Sequence, residues 1–182
     1  MQPRILPVPD DQTAPAARTI LDQTKKAVGM VPNLHQTLAH APAALRAYTD
    51  SVKALSAGRL PVPLREQIAL TSAGINGCAY CASAHTAIGK GVGLDESELT
   101  RNLGAESGDP KAAAALTFVK RLIDTRGAVA DGELAAVRQA GFTDTEIVEM
   151  VAHVGVNLFT NMFNLLAKTT IDFPEVQLSA SH

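Results

Sequence analysis

The chain has 182 residues, of which 46% are hydrophobic and only 4% aromatic, with no tryptophan and a formal charge of −2 from 16 basic and 18 acidic side chains. The length suits one domain with ample material for a core. The balanced charge, free of long runs of either sign, gives nucleic acid or an anionic membrane no footing as partner, and the alanine-rich, aromatic-poor composition favours closely packed helices over a β-sandwich.

Residues 1–13 hold three prolines and two aspartates and read as an extended N-terminal arm with no core of its own. No apolar run of signal-peptide length opens the chain, and no later stretch is a membrane span free of polar residues, so a cytoplasmic protein is expected. From Ala14 to Val28, Ala17, Ile20, Leu21, Thr24 and Val28 fall at helical spacing, with Gly29 as the stop. Met30-Val31-Pro32-Asn33 reads as a turn and N-cap before a short helix to His40. Pro42 then opens a helix toward Gly58. His35 and His40, with no Cys or carboxylate at ligand spacing, read as packing or surface histidines.

Pro61-Val62-Pro63 begins the segment that carries Glu66, helical as far as Gly74. Glu66 is placed in its first turn, where it serves either chemistry or the helix dipole. A slim, alanine-rich helix follows from about Cys78 to Lys90, ended by Gly89, Gly91 and Gly93. These glycines follow a helix and lack a GK[ST] sequence, so they are not a phosphate loop. Short helices are expected at 94–99 and 131–139, a longer one opens at Asp109-Pro110, and Thr143 with Glu146 matches a capping box. The helix from Ile147 to about Thr169 is the longest and most apolar, fit for a central position or a subunit contact. Its polar stripe, His153, Asn157, Asn161 and Asn164, suits hydrogen bonds across an interface or to the helix that opens at Cys78, rather than a catalytic part. With no sustained apolar/polar alternation, the fold is all-α: a single domain over 14–175 and a loose tail over 176–182.

The chemistry concentrates in Gly77-Cys78-Ala79-Tyr80-Cys81-Ala82-Ser83-Ala84-His85, which holds the only two cysteines. At ~100° per residue, Cys81 lies roughly 60° and His85 roughly 20° around the axis from Cys78, so one helix face carries all three. Asn76 reads as the N-cap, which places both thiols in the first turn, where free N–H groups and the dipole favour thiolates. Two thiols three residues apart can also bridge. A zinc site would use the thiolates, His85 and Glu66 but lacks a second ligand pair further along the chain. Haem attachment would need a histidine where Ala82 stands. Inert buried cysteines and a redox-sensing oligomer without turnover are the non-enzymatic alternatives.

The spacing of Glu66, Cys78, Cys81 and His85 resembles the signature of the alkylhydroperoxidase D-like, or carboxymuconolactone decarboxylase, superfamily, and Met30-Val31-Pro32-Asn33 is similar to its peroxidase-related branch. The resemblance implies a bundle of about eight helices that assembles as a trimer or hexamer and carries a thiol peroxidase activity without cofactor or metal. It implies that Cys81 attacks hydrogen peroxide or a small organic hydroperoxide and that Cys78 closes the disulfide. Glu66 and His85 would relay the proton, and an external dithiol would reduce the bridge. Family peroxidases carry a histidine between the cysteines where this chain has Tyr80, a phenol and hence a poor base at neutral pH.

Overall fold

A computed structural model describes residues 2–178. Among them are a 3₁₀ turn at Asp10–Gln12 and nine α-helices: α1 Pro15–Val28, α2 Asn33–Leu38, α3 Pro42–Ser56, α4 Val62–Asn76, α5 Ala79–Gly91, α6 Glu96–Leu103, α7 Pro110–Asp124, α8 Asp131–Gln139 and α9 Asp144–Ala167. No strand occurs among the described residues, and the fold is all-α as expected.

Local sequence signals set most of the helix starts. Asp95, Asp109 and Thr143 each accept a backbone N–H three residues on, at 2.8, 2.7 and 3.3 Å, and Glu146 reaches back 2.8 Å to the Thr143 N–H. Each such cap contributes about 1 kcal/mol by closing an N–H that the helix leaves open. Gly29 ends α1 in the left-handed region at φ 86°, the expected stop.

The surrounded helix is α4, not α9. It packs against α5, α6, α7 and α9, and its residues from Gln67 to Ala73 are all buried. Small side chains make this possible: a Cβ on Gly74 would lie 2.0 Å from the Leu103 carbonyl oxygen, so α6 passes against bare backbone there. The hydroxyl of Thr71 donates to the Asn102 carbonyl at 2.8 Å and fixes the same crossing.

Two apolar clusters flank α4. One gathers Ile68, Leu116, Val119, Val137 and Met150 from α4, α7, α8 and α9. The other gathers Ala17, Leu21, Leu34, Leu45 and Ala73 around Cys78 and Cys81. The cysteines therefore sit inside a core, 1% and 3% exposed.

Both end segments close over this second cluster. Arg4 and Ile5 donate their N–H groups to the Ala167 carbonyl at the end of α9, at 2.7 and 3.2 Å, and Val8 is buried. The expected arm is thus laid along the domain. At the other end, Val176 donates its N–H to Ser83 Oγ at 3.0 Å, and Ile171, Phe173, Val176 and Leu178 pack on the cluster. The segment beyond 175 is seated as far as Leu178, not loose, because α5 offers it an acceptor and an apolar bed. The remainder of the expected tail, 179–182, lies outside the described residues.

Helix α9 buries one side only. Val148, Val151, Phe159, Met162 and Leu166 are exposed along the other. By length and composition alone its 24 residues could cross a membrane. The inner face, however, bonds to α4 and α5 through amides, as a core helix does.

Candidate functional site

The site begins at the α4–α5 junction. Gly77 takes φ +68°, a conformation that favours glycine, and ends α4 by donating its N–H to Gly74. Cys78, not Asn76, is then the N-cap of α5, and its Sγ accepts the Cys81 N–H at 3.3 Å. Asn76 stays within α4 because its amide is occupied elsewhere: Nδ2 donates to the Ser72 carbonyl at 2.8 Å and to Asn161 Oδ1 at 3.0 Å. The expectation that both thiols lie at the start of a helix holds, with the boundary moved by two residues.

Cys78 and Cys81 are joined as a disulfide, their Cα atoms 5.3 Å apart. One turn beyond Cys81, His85 places Nδ1 2.8 Å from Glu66 Oε2 of α4, with side chains 23% and 15% exposed. The four residues singled out in the sequence thus form two pairs on adjoining helices, the disulfide at the start of α5 and the hydrogen bond between α4 and α5. Glu66 is the fifth residue of α4 and lies beyond its first turn, so the helix-dipole role expected for it falls away.

Two more side chains feel Glu66. Burial, with the Glu66 charge adding to it, pushes the Tyr48 hydroxyl up to about 12. Burial and the Arg65 charge hold His153 below the ordinary histidine range, against an upward pull from Glu149 and Glu66. His153 thus belongs to the neutral surroundings of the carboxylate, and its Nε2 is buried without a hydrogen-bond partner. The rings of Tyr48 and His35 stand 5.4 Å apart, and burial lowers His35 to about 4 although Asp172 opposes it.

Tyr80, the residue between the cysteines, is turned toward structure. Its hydroxyl accepts the Leu34 N–H at 3.1 Å and its ring meets Phe173 edge-on at 5.8 Å. Burial raises its pKa further from neutrality. Tyr80 therefore pegs α2 and the C-terminal segment onto α5 and has no free base to offer.

Asn164 is the member of the polar stripe that bonds to the cysteine helix. From α9 its Nδ2 donates to Cys81 Sγ at 3.3 Å, deep in the core. The available signal was its place on the polar stripe: an amide on an otherwise apolar helix must meet a polar partner, and here the partner is sulfur. Within that stripe Asn157 turns to its own helix and bonds the His153 carbonyl at 2.9 Å. Among the described residues, no group of three or more His, Cys, Asp and Glu side chains is arranged to hold a metal ion.

Comparison with known proteins finds the same fold elsewhere. The model of the carboxymuconolactone decarboxylase family matches residues 39–121, which include Glu66, both cysteines and His85. No curated protein matches the chain in sequence. Among solved structures, an alkylhydroperoxidase AhpD core, an uncharacterized peroxidase-related protein from Ralstonia eutropha JMP134, superposes with a TM-score of 0.85 at 24% identity over 94% of each chain. An uncharacterized peroxidase-related protein from Silicibacter sp. TM1040 follows with 0.81 at 22% identity, covering 93% of this chain and 92% of the other. The debrominase Bmp8 C82A in complex with 2,3,4-tribromopyrrole shares the fold with 0.79 at 19% identity, over 94% and 93% of the two chains.

Proposed function

We propose that this chain, whose residues 39–121 match the carboxymuconolactone decarboxylase family, is a thiol peroxidase that reduces hydrogen peroxide or a small organic hydroperoxide with Cys78 and Cys81. The observation that carries the reading is the Glu66–His85 hydrogen bond, set one helical turn from a cysteine that already has its disulfide partner. A thiol needs a base to become a nucleophile, and a disulfide partner to be recycled.

In the reduced protein, the Cys81 thiol gives its proton to His85. Glu66 holds Nδ1, so proton exchange runs through Nε2, and the carboxylate stabilises the imidazolium that forms. The Cys81 thiolate attacks the outer peroxide oxygen. The O–O bond breaks, the sulfur becomes a sulfenic acid, and the alkoxide leaves as alcohol on taking the relayed proton. Cys78, as thiolate, then attacks the Cys81 sulfur and expels hydroxide, which leaves as water with the proton Cys78 gave up. A dithiol returns two electrons to the bridge and closes the cycle.

The exposed apolar side of α9 supports a homo-oligomer, a trimer or hexamer. Beside it lies a groove of about 570 Å³ lined by Tyr48, Leu55, Val156 and Phe159. Unburied, such a stripe would associate non-specifically. A chain whose work depends on free thiols also suits the reducing cytoplasm.

The deciding experiment takes reduced protein and one equivalent of an organic hydroperoxide, and follows free thiols and intact mass. Loss of both thiols with loss of two hydrogens, abolished in Cys81→Ser, is the expected result. Thiols that survive, or a Cys81→Ser protein that still consumes peroxide, overturn the reading. Bromopyrrole is the comparison electrophile, because the fold is shared with a debrominase. A disulfide that forms once, changes the assembly and does not turn over with dithiol would point to a redox sensor instead.

A further inference from the structure

The C-terminal segment lies on the cysteine cluster without being woven into it. The chain leaves α9 at Lys168, which takes φ +50°, and among the described residues 170–178 make no backbone–backbone hydrogen bond. They are tied at two places instead. At Asn33, Asp172 Oδ2 accepts the backbone N–H at 2.7 Å and the Thr170 carbonyl accepts Nδ2 at 3.0 Å. At Ser83, Oγ accepts the Val176 N–H at 3.0 Å. Between the ties Phe173 sets its ring edge-on to Tyr80 at 5.8 Å. No residue of the segment is fully buried: Ile171, Phe173, Val176 and Leu178 are half-buried, and Pro174, Glu175 and Gln177 are exposed.

The end of α9, by contrast, is clamped, because Arg4 and Ile5 both donate to the Ala167 carbonyl. A segment tied at two places beyond a fixed helix end opens more readily than helices whose amides are bonded turn by turn. What it covers is the pair of cysteines. A cavity of about 610 Å³ is lined by Thr170, Ile171 and Glu175 of the segment and by Gly77, Cys78 and Ala79 at the start of α5. Cys78 belongs to this cavity and is nevertheless only 1% exposed, and Cys81 is 3% exposed. Reaction at a sulfur depends on access, and the seated segment denies it.

We propose that residues 170–178 are a strap that swings out on Lys168, and that the seated strap is the closed state of the cysteine pair. Lifting it breaks the ties to Asn33 and Ser83, parts Phe173 from Tyr80 and opens the cavity beside Cys78. None of the ties involves Glu66, His85 or a sulfur, so the hydrogen bond between Glu66 and His85 survives the motion. A reagent reaches Cys78 only in the fraction of molecules whose strap is lifted, and its rate is cut by that fraction. The strap gates the thiols whatever chemistry they perform, and so goes beyond the peroxidase reading.

The test uses full-length protein with both cysteines reduced, and iodoacetamide as the probe. Site-resolved mass spectrometry follows alkylation of Cys78 and Cys81, and amide hydrogen exchange is read on the same samples. In the wild-type protein the Val176 N–H should exchange about a hundredfold faster than the α4 amides from Ile68 to Ala73, after correction for intrinsic rates, and Cys78 should be alkylated before Cys81. Phe173→Ala, which removes the ring from Tyr80, should speed Val176 exchange and Cys78 alkylation by the same factor, about tenfold. Asp172→Ala, which takes the acceptor from the Asn33 N–H at the opposite tie, should speed both severalfold. Three results overturn the strap: Val176 exchanging no faster than α4, Cys78 alkylation unmoved while Val176 exchange accelerates, or alkylation of Cys81 first. No step uses peroxide, so the strap can fail while peroxide still oxidises the thiols. Conversely, peroxide-inert thiols would sink the peroxidase reading alone.

Discussion

His85 and Glu66 hold each other across the α4–α5 junction, Nδ1 to Oε2 at 2.8 Å, and this is the one side-chain bond between a titratable pair beside the cysteines among the described residues. Replacing the carboxylate by an amide keeps the size and a hydrogen-bonding oxygen but removes the charge that stabilises an imidazolium. In Glu66→Gln, the rate of thiol loss with one equivalent of organic hydroperoxide should fall about 10²-fold, the lower end for a general acid–base partner. A wild-type rate would show that His85 acts without it.

Tyr80→Phe separates peg from base. The ring contact with Phe173 survives, but the buried Leu34 N–H loses its acceptor, which should cost about 1–3 kcal/mol in urea unfolding. The pH dependence of the peroxide reaction should keep its wild-type shape. A shifted profile would return the phenol to the proton relay.

His35 makes stability depend on pH. Its folded value of about 4 lies below the unfolded 6.5, so the unfolded chain binds the extra proton between the two. The contribution of neutral His35 is complete above 6.5 and is lost as pH falls toward 4. At about 1.4 kcal/mol per pH unit, the loss is about 3 kcal/mol. Denaturant titrations at pH 7 and pH 4.5 should show a drop that His35→Gln reduces.

Gly74→Ala tests the α4–α6 crossing. A methyl group there meets the Leu103 carbonyl oxygen, backbone that cannot swing aside. A loss of about 2–4 kcal/mol and a lower Tm are expected, at the upper range for overpacking. Gly77→Ala, by contrast, has open space around it and strains only its positive φ, so it should cost about 1 kcal/mol.

What could be read in the chain alone was whatever depends on near neighbours. Asp109 beside Pro110, Thr143 with Glu146 and Gly29 after Val28 each start or stop a helix through bonds spanning a few residues. The spacing of Cys78, Cys81 and His85 belongs to the same class, since one helix turn sets it. Asn76 was misread as a cap because its partner, Asn161, lies 85 residues away, and that bond keeps it inside α4. For Asn164 the polar stripe announced a partner outside its own helix, but not that the partner, 83 residues away, is the Cys81 sulfur. Identifying α4 as the surrounded helix required knowing that four other helices close on it. Its modest apolar content spoke for α9 instead, whose outer side the single chain leaves uncovered.

The C-terminal segment has a consequence for the order in which the protein is made. Asn164, Thr169, Phe173 and Val176 complete the surroundings of α5, and Val176 reaches back 93 residues to Ser83. During translation from the N-terminus, Cys78 and Cys81 emerge long before these residues exist, with their helix uncovered and without the amide that Asn164 supplies. Until the stretch from Asn164 to Val176 has been joined, the nascent chain presents two water-facing thiols. The enclosure of the two cysteines is therefore acquired only once that stretch has emerged, and a ribosome stalled before Asn164 would hold them open to solvent.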